Sequence, residues 1–158
     1  MFLGLDLGTS AVKALLVDAA GHPIASQSAP LSVSRPHQGW SEQDPDSWWQ
    51  AADMAVRQLK QTQPAELAAV TAIGLSGQMH GLTALDSAMR PLRPAILWND
   101  TRSAPQAERL DALNPEFRSI GGNAVMPGFT APKAVWMAEA EADLFAATKM
   151  ILLPKDYL

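Results

Sequence analysis

The chain has 158 residues, of which 47% are hydrophobic, and its formal net charge is -4. This length fits one domain with a hydrophobic core, and the acidic balance gives no electrostatic basis for binding nucleic acid or an anionic membrane. The sequence has 0 Cys, which excludes disulfides, thiolate metal sites and cysteine nucleophiles. Asp6 comes too early for a signal peptide, and no apolar run reaches about 18 residues, so we predict a cytoplasmic protein without a membrane span.

Three short strands are predicted at the start of the chain, over residues 2–7, 11–17 and 24–33. Gly8-Thr9-Ser10 breaks the first apolar run, and a turn over 18–21 breaks the second. Strands this close in sequence must be antiparallel neighbours, because a parallel return needs a crossover of about a dozen residues.

A helix is predicted after the polar loop over 34–44. Asp44 is a favourable N-cap and Pro45 suits the first helical position. Apolar residues recur at helical spacing as far as Gln61, and a short helical piece follows over 64–69. We predict that Trp48, Trp49 and Trp136 lie on buried helical faces.

Strands and helices alternate in the rest of the chain. The predicted strands cover 70–75, 82–85, 94–98 and 149–153. The predicted helices run from Asp100 or Thr101 to 113, from 130 to 139, and onward from Pro154. This layout predicts an α/β fold with a mixed sheet, antiparallel first three strands and helices on both faces.

The first candidate site is the segment Asp6-Leu7-Gly8-Thr9-Ser10, with Lys13 three residues further on. Backbone N–H groups of such a turn, its hydroxyls and a Lys can bind phosphate oxygens, and a carboxylate can hold Mg²⁺ through water. The alternative is an ordinary β-hairpin turn. The Gly-rich loop-to-helix nucleotide motifs are absent, so a phosphate site here would use a hairpin.

The second candidate site is Gly77-Gln78-Met79-His80-Gly81, at the end of a predicted strand. Gln78 and His80 can hydrogen-bond the hydroxyls of a polyol, and the two glycines let the backbone approach a ligand. The alternative is a flexible connection between strands.

The third candidate site is Trp98-Asn99-Asp100. An indole face beside a carboxylate suits a sugar, with its C–H groups on the ring and its hydroxyls on the acid. The alternative is structural: Trp98 closes the core and Asp100 caps the next helix.

Six segments in order along the whole chain resemble the FGGY carbohydrate kinases. The Asp-x-Gly-Thr piece is shared with many actin-like ATPases, whereas Gln78-Met79-His80 differs from the Gln-Arg-Glu of glycerol kinases and is similar to the branch that acts on D-xylulose. The segments are Asp6–Ser10, Trp40–Pro45, Gly77–Gly81, Arg93–Asp100, Met126–Lys133 and Leu153–Leu158.

The resemblance implies a ribonuclease-H-like, actin-type ATPase domain that transfers phosphate from ATP, with Mg²⁺, to the sugar D-xylulose. It implies that the first segment and Lys13 face the ATP phosphates, with Asp6 also at the metal. Met79 and His80 would contact the sugar, with Gln78, Trp98 and Asp100 close by. The resemblance leaves a homodimer open.

The resemblance also implies that the catalytic base and most of the adenosine site lie beyond residue 158, in the part of the family's fold that this sequence does not contain. We therefore expect the chain to be the N-terminal part of a kinase and to be inactive alone. Two alternatives stay open: another FGGY sugar or polyol kinase, and a non-catalytic sugar-binding module.

Overall fold

The computed structural model describes residues 1–113 and 115–158, which form strands and helices over almost the whole chain. The strands are β1 (Phe2–Leu7), β2 (Ala11–Val17), β3 (Pro23–Pro30), β4 (Glu42–Gln43), β5 (Ala72–Gly77), β6 (Thr83–Leu85), β7 (Ala95–Ile96) and β8 (Met150–Leu152). The helices are α1 (Pro45–Thr62), α2 (Pro64–Ala68), α3 (Ala104–Leu113), α4 (Glu116–Gly121), α5 (Thr130–Ala140), α6 (Ala142–Ala147) and α7 (Pro154–Tyr157).

The largest sheet has the strand order β3-β2-β1-β5. β1 pairs antiparallel with β2, and β2 pairs antiparallel with β3, whereas β1 pairs parallel with β5. The predicted mixed sheet with antiparallel first three strands is therefore confirmed. In this register Asp6 lies opposite Lys13 on β2 and opposite Ser76 on β5.

Helix α1 covers one face of this sheet. The Asp44 carboxylate accepts a hydrogen bond from Asp46 N at 3.1 Å, which confirms the predicted N-cap. On the opposite face Asp6 and Lys13 are exposed. Of the two helical layers that were predicted, the described residues therefore show the one on the α1 face. The buried residues of α1 follow the helical repeat and pack on alternate strand residues: Trp48, Ala51, Ala52, Ala55 and Leu59 against Leu3, Leu7, Val12, Ala14, Leu16 and Ala29.

The three tryptophans predicted to be buried differ in their environment. Trp48 is fully buried, which confirms its prediction, and Trp136 is partly buried against the second core cluster. Trp49 is 64% exposed, so its prediction is wrong. Consecutive helical residues are rotated by about 100°, and Trp48 already occupies the buried stripe.

Two short antiparallel sheets form a second unit beside the first sheet. β4 pairs with β7 and β6 pairs with β8, and a bridge between Leu82 and Ile96 joins the two pairs. Met137 of α5 packs on Leu82, Ala84 and Ile96 in a separate core cluster. The second candidate site lies in the chain just before β6, and the third lies just after β7. Both sites are therefore attached to this unit.

Helix boundaries in the second half depart from the sequence prediction. α3 begins at Ala104, because the Asp100 carboxylate accepts a hydrogen bond from Arg102 N at 2.9 Å in a turn and does not cap a helix. α4 and α6 were not predicted, since six residues are too few to show a helical repeat in the sequence. Within the described residues, no helix combines the length and hydrophobicity needed to cross a membrane.

Candidate active site

The β1–β2 hairpin presents three polar side chains to solvent. Asp6 at the end of β1 and Lys13 on β2 are cross-strand partners, and both are exposed, as is Ser10 in the turn. Gly8 N donates to the Ala11 carbonyl oxygen at 3.0 Å and closes the turn. An ammonium and a hydroxyl that can bind phosphate oxygens therefore lie at one end of the sheet, together with a carboxylate that can bind a metal ion.

The hairpin also fits the magnesium ion that the family resemblance implies. Asp6 offers an exposed carboxylate, which is the hard oxygen ligand that Mg²⁺ prefers. Within the residues that the structure describes, no group of three or more His, Asp or Glu side chains could hold a metal. The ion would therefore keep most of its water ligands or take oxygens from phosphates.

The loop after β5 forms one wall of a cavity of about 270 Å³. Its lining consists of Gly77, Gln78, Met79, His80 and Trp98. Met79 is 65% exposed and Trp98 is 50% exposed, so both side chains are accessible from solvent. The structural alternative in which Trp98 closes the core is therefore wrong, and Trp98 stands as a wall of the cavity.

The two glycines of this loop serve the packing of the protein itself. A Cβ at Gly77 would lie 3.0 Å from the Leu7 Cβ, and a Cβ at Gly81 would lie 2.5 Å from the Pro154 Cγ. The expectation that these glycines open the backbone to a ligand does not fit this geometry, because protein atoms already fill the space. They let β1 and α7 approach the loop closely.

His80 is held in an uncommon backbone conformation. Its φ is 62°, in the left-handed region, and its carbonyl oxygen accepts a hydrogen bond from Lys133 Nζ at 2.6 Å. Lys133 also donates to the Gly128 carbonyl oxygen at 2.5 Å and is fully buried. Its burial lowers the pKa of Lys133 to about 8, and the charge of Asp100 opposes this shift.

Lys133 was not among the residues singled out from the sequence. One lysine in the first turn of a helix carries no local sign that it is buried, and its partners are carbonyl groups of other segments. The ring of His80 packs at 4.6 Å between centroids on Phe129, which precedes the same helix. α5 and the residues before it therefore hold the loop that carries His80.

Hydrogen bonds join the hairpin to the cavity. Trp98 Nε1 donates to the Thr9 Oγ1 at 3.0 Å, and the Thr9 hydroxyl lies 3.4 Å from the Gln78 Oε1, to which it donates. The Thr9 side chain thus points to the cavity wall, whereas Asp6, Ser10 and Lys13 stay exposed. The first two candidate sites and Trp98 are therefore one continuous surface.

Asp100 has a different place from the one expected from the sequence. It is fully buried, and its Oδ2 accepts from Ser41 N at 2.6 Å and from Arg102 Nη2 at 2.8 Å. Its Oδ1 accepts from Arg102 N and Nε, both at 2.9 Å. The expected contact between Asp100 and a substrate is therefore corrected, because both carboxylate oxygens are already occupied; Asp100 positions the loop before β4.

A buried ionic cluster supports this loop and was not recognised in the sequence. Arg102 forms salt bridges with Asp100 and, at 2.7 Å, with Glu42, and its guanidinium lies 3.5 Å from the ring centroid of Trp40. Arg93 pairs with Glu42 as well. Glu42 lies far from Arg93 and Arg102 in the sequence, so the sequence alone does not reveal that they form ion pairs. The cluster fixes the backbone that leads into β4.

Comparisons with known proteins agree with this geometry. A family model described as the FGGY family of carbohydrate kinases, N-terminal domain, matches residues 1–158. A protein named xylulose kinase from Escherichia coli (strain K12) is 51% identical over 158 residues, which are 100% of this chain and 32% of that protein. The chain therefore spans about a third of the length of such a relative.

Solved structures give the same family. A structure described as a xyloylose kinase from Brucella ovis has a TM-score of 0.96 and 60% identity, over 98% of this chain and 32% of that one. Xylulose kinase from Rhodospirillum rubrum has a TM-score of 0.92 and 30% identity, over 98% and 32%. The expected actin-type ATPase fold is confirmed, and the chain belongs to the FGGY family of carbohydrate kinases.

Proposed function

We propose that the chain is the N-terminal part of a kinase that uses ATP and Mg²⁺ to phosphorylate D-xylulose to D-xylulose 5-phosphate. The observation that carries the proposal is the direct contact between the Asp6–Ser10 hairpin and the cavity of Gln78, Met79, His80 and Trp98. Phosphoryl transfer needs a phosphate site and an alcohol site side by side. The named relatives support D-xylulose as the sugar.

On the phosphate side, the charge of each exposed side chain determines the group that it would bind. Lys13 and Ser10 would bind phosphate oxygens, and Asp6 would hold Mg²⁺ through its waters. Thr9 would present its backbone N–H, because its hydroxyl is engaged with Trp98 and Gln78. Gly8 would shape the turn that carries this group, since its own N–H donates to the Ala11 carbonyl oxygen. The hairpin would position MgATP, which when bound would supply the phosphoryl group, with Mg²⁺ neutralising charge on the phosphate oxygens.

On the sugar side, His80 and Gln78 would hydrogen-bond hydroxyl groups, and Met79 and Trp98 would pack on the C–H faces. Among the described residues the cavity lining contains no carboxylate, and both carboxylate oxygens of the buried Asp100 accept hydrogen bonds. The base that accepts the proton of the sugar hydroxyl would therefore come from outside this chain.

The test is an assay of the full-length protein that carries this chain, with ADP release measured against a panel of ketoses and polyols. We expect D-xylulose to give the highest kcat/KM. A preference for another sugar or polyol would point to a different kinase of the same family. Binding of a sugar without ADP release would support the non-catalytic module and contradict the proposal.

A further inference from the structure

Gln43 in β4 is a buried amide whose hydrogen-bonding groups are all used. Its Nε2 donates to the carbonyl oxygens of Thr9 at 2.7 Å and Ser32 at 3.3 Å. Its Oε1 accepts from Trp48 Nε1 at 3.0 Å and from Gln78 Nε2 at 3.1 Å. The residue is 1% exposed, and an amide satisfied by two donated and two accepted bonds is held in one orientation.

These bonds close a ring between the hairpin and the cavity wall. Gln43 holds the Thr9 carbonyl with its nitrogen and the Gln78 amide with its oxygen, while Thr9 and Gln78 are joined to each other through their side chains. Gln43 does not line the cavity, so it acts only through its two neighbours. The ring sets the distance from the phosphate-side turn to the sugar-side loop.

We propose that Gln43 is a positioning residue that keeps the phosphate-binding hairpin and the sugar-binding loop in register for transfer. The inference rests on the proposed function, because it assigns one ligand to each side. Binding of either ligand alone needs only its own segment, whereas transfer needs both reacting groups at contact distance. A misplacement of about 1 Å can lower a rate by roughly 100-fold.

The test compares Gln43→Met with Trp48→Phe in the full-length protein. Gln43→Met removes the hydrogen bonds from Gln43 to the Thr9 carbonyl and to the Gln78 amide. We expect kcat to fall about 10- to 100-fold, while KM for D-xylulose and KM for ATP each change less than about threefold. Trp48→Phe removes a buried hydrogen bond to the same Gln43 oxygen but leaves Thr9 and Gln78 linked. We expect its kcat to stay within about twofold of the native value.

Equal losses of kcat in the two variants would show that Gln43 has a merely structural role and would overturn the proposal. Gln43→Glu provides a second test in case the Met variant does not fold. A protonated Glu can still donate to the Thr9 carbonyl, whereas a carboxylate repels it, so kcat relative to the native protein should recover as the pH falls. The partners of Gln43 on each segment are uncharged, and a ratio that stays low as the pH falls would contradict the proposal.

Amide hydrogen exchange gives a readout that does not depend on activity. We expect Gln43→Met to speed exchange at residues 8–10 and 78–80 together, and Trp48→Phe to leave both segments protected. Unchanged exchange in Gln43→Met overturns the link between the segments, whatever the kinetics. If the native protein turns over no sugar, the proposed function fails on its own, and the exchange result still decides whether Gln43 joins the segments.

Discussion

At the scale of single residues, His80 has a strained backbone conformation and a partly exposed side chain. A φ of 62° costs a non-glycine residue about 1 kcal/mol, and the hydrogen bond from buried Lys133 to its carbonyl oxygen holds this conformation. Strain of this kind is retained where the surrounding structure fixes it. The structure therefore fixes the backbone of this loop, and the His80 ring packs on Phe129 beside it.

We expect His80→Ala to raise KM for D-xylulose about 2- to 10-fold, the value of one lost hydrogen bond, with KM for ATP almost unchanged. Steady-state kinetics of the full-length protein measure both constants. His80→Gly is the matched control, because it removes the ring without strain at a positive φ. If His80→Gly restores KM for D-xylulose, the effect comes from the backbone and the imidazole does not bind the sugar.

At the scale of elements, helix α5 anchors the loop through Lys133. Burial lowers the pKa of this amine from 10.5 to about 8, with Asp100 opposing and Arg102 adding to the shift. Between these two pKa values the unfolded chain binds more protons than the folded one. The contribution of Lys133 to stability therefore rises with pH from about 8 to 10.5 and is flat below about 8.

The free energy of unfolding of the native protein, relative to Lys133→Met, should therefore rise by about 2 kcal/mol from pH 7 to pH 9.5. Urea denaturation of both proteins at the two pH values measures this difference, in which other titrating groups cancel. Lys149→Met, which removes an exposed ammonium, controls for the loss of one charge. A constant or falling difference would mean that burial does not lower the pKa of this amine and would contradict the prediction.

The elements with local signals were predictable from the sequence. β1 and β2 match their predicted ranges, and α1 ends one residue from its predicted end, because apolar alternation, an Asp N-cap and Pro45 act within a few residues. The candidate active site was predicted as three separate segments. Their junction depends on Thr9 and Gln78, which lie 69 residues apart and meet only because β1 and β5 pair in parallel.

At the scale of the whole molecule, the groups proposed for the sugar side and the phosphate side lie next to each other. Among the described residues the cavity lining holds no carboxylate, both oxygens of Asp100 are engaged, and Asp6 is the residue proposed to hold the metal. General-base catalysis needs a group within hydrogen-bond reach of the proton that it accepts.

We therefore expect the 158-residue chain alone to release no ADP in response to D-xylulose, while the full-length protein does. A coupled ATPase assay of both, at matched concentration, measures the difference, and circular dichroism checks that the isolated chain is folded. Sugar-dependent turnover by the folded chain would contradict the missing base. In that case His80 would be the first residue to test for the role, because among the described residues of the cavity lining it carries a side chain that can accept a proton.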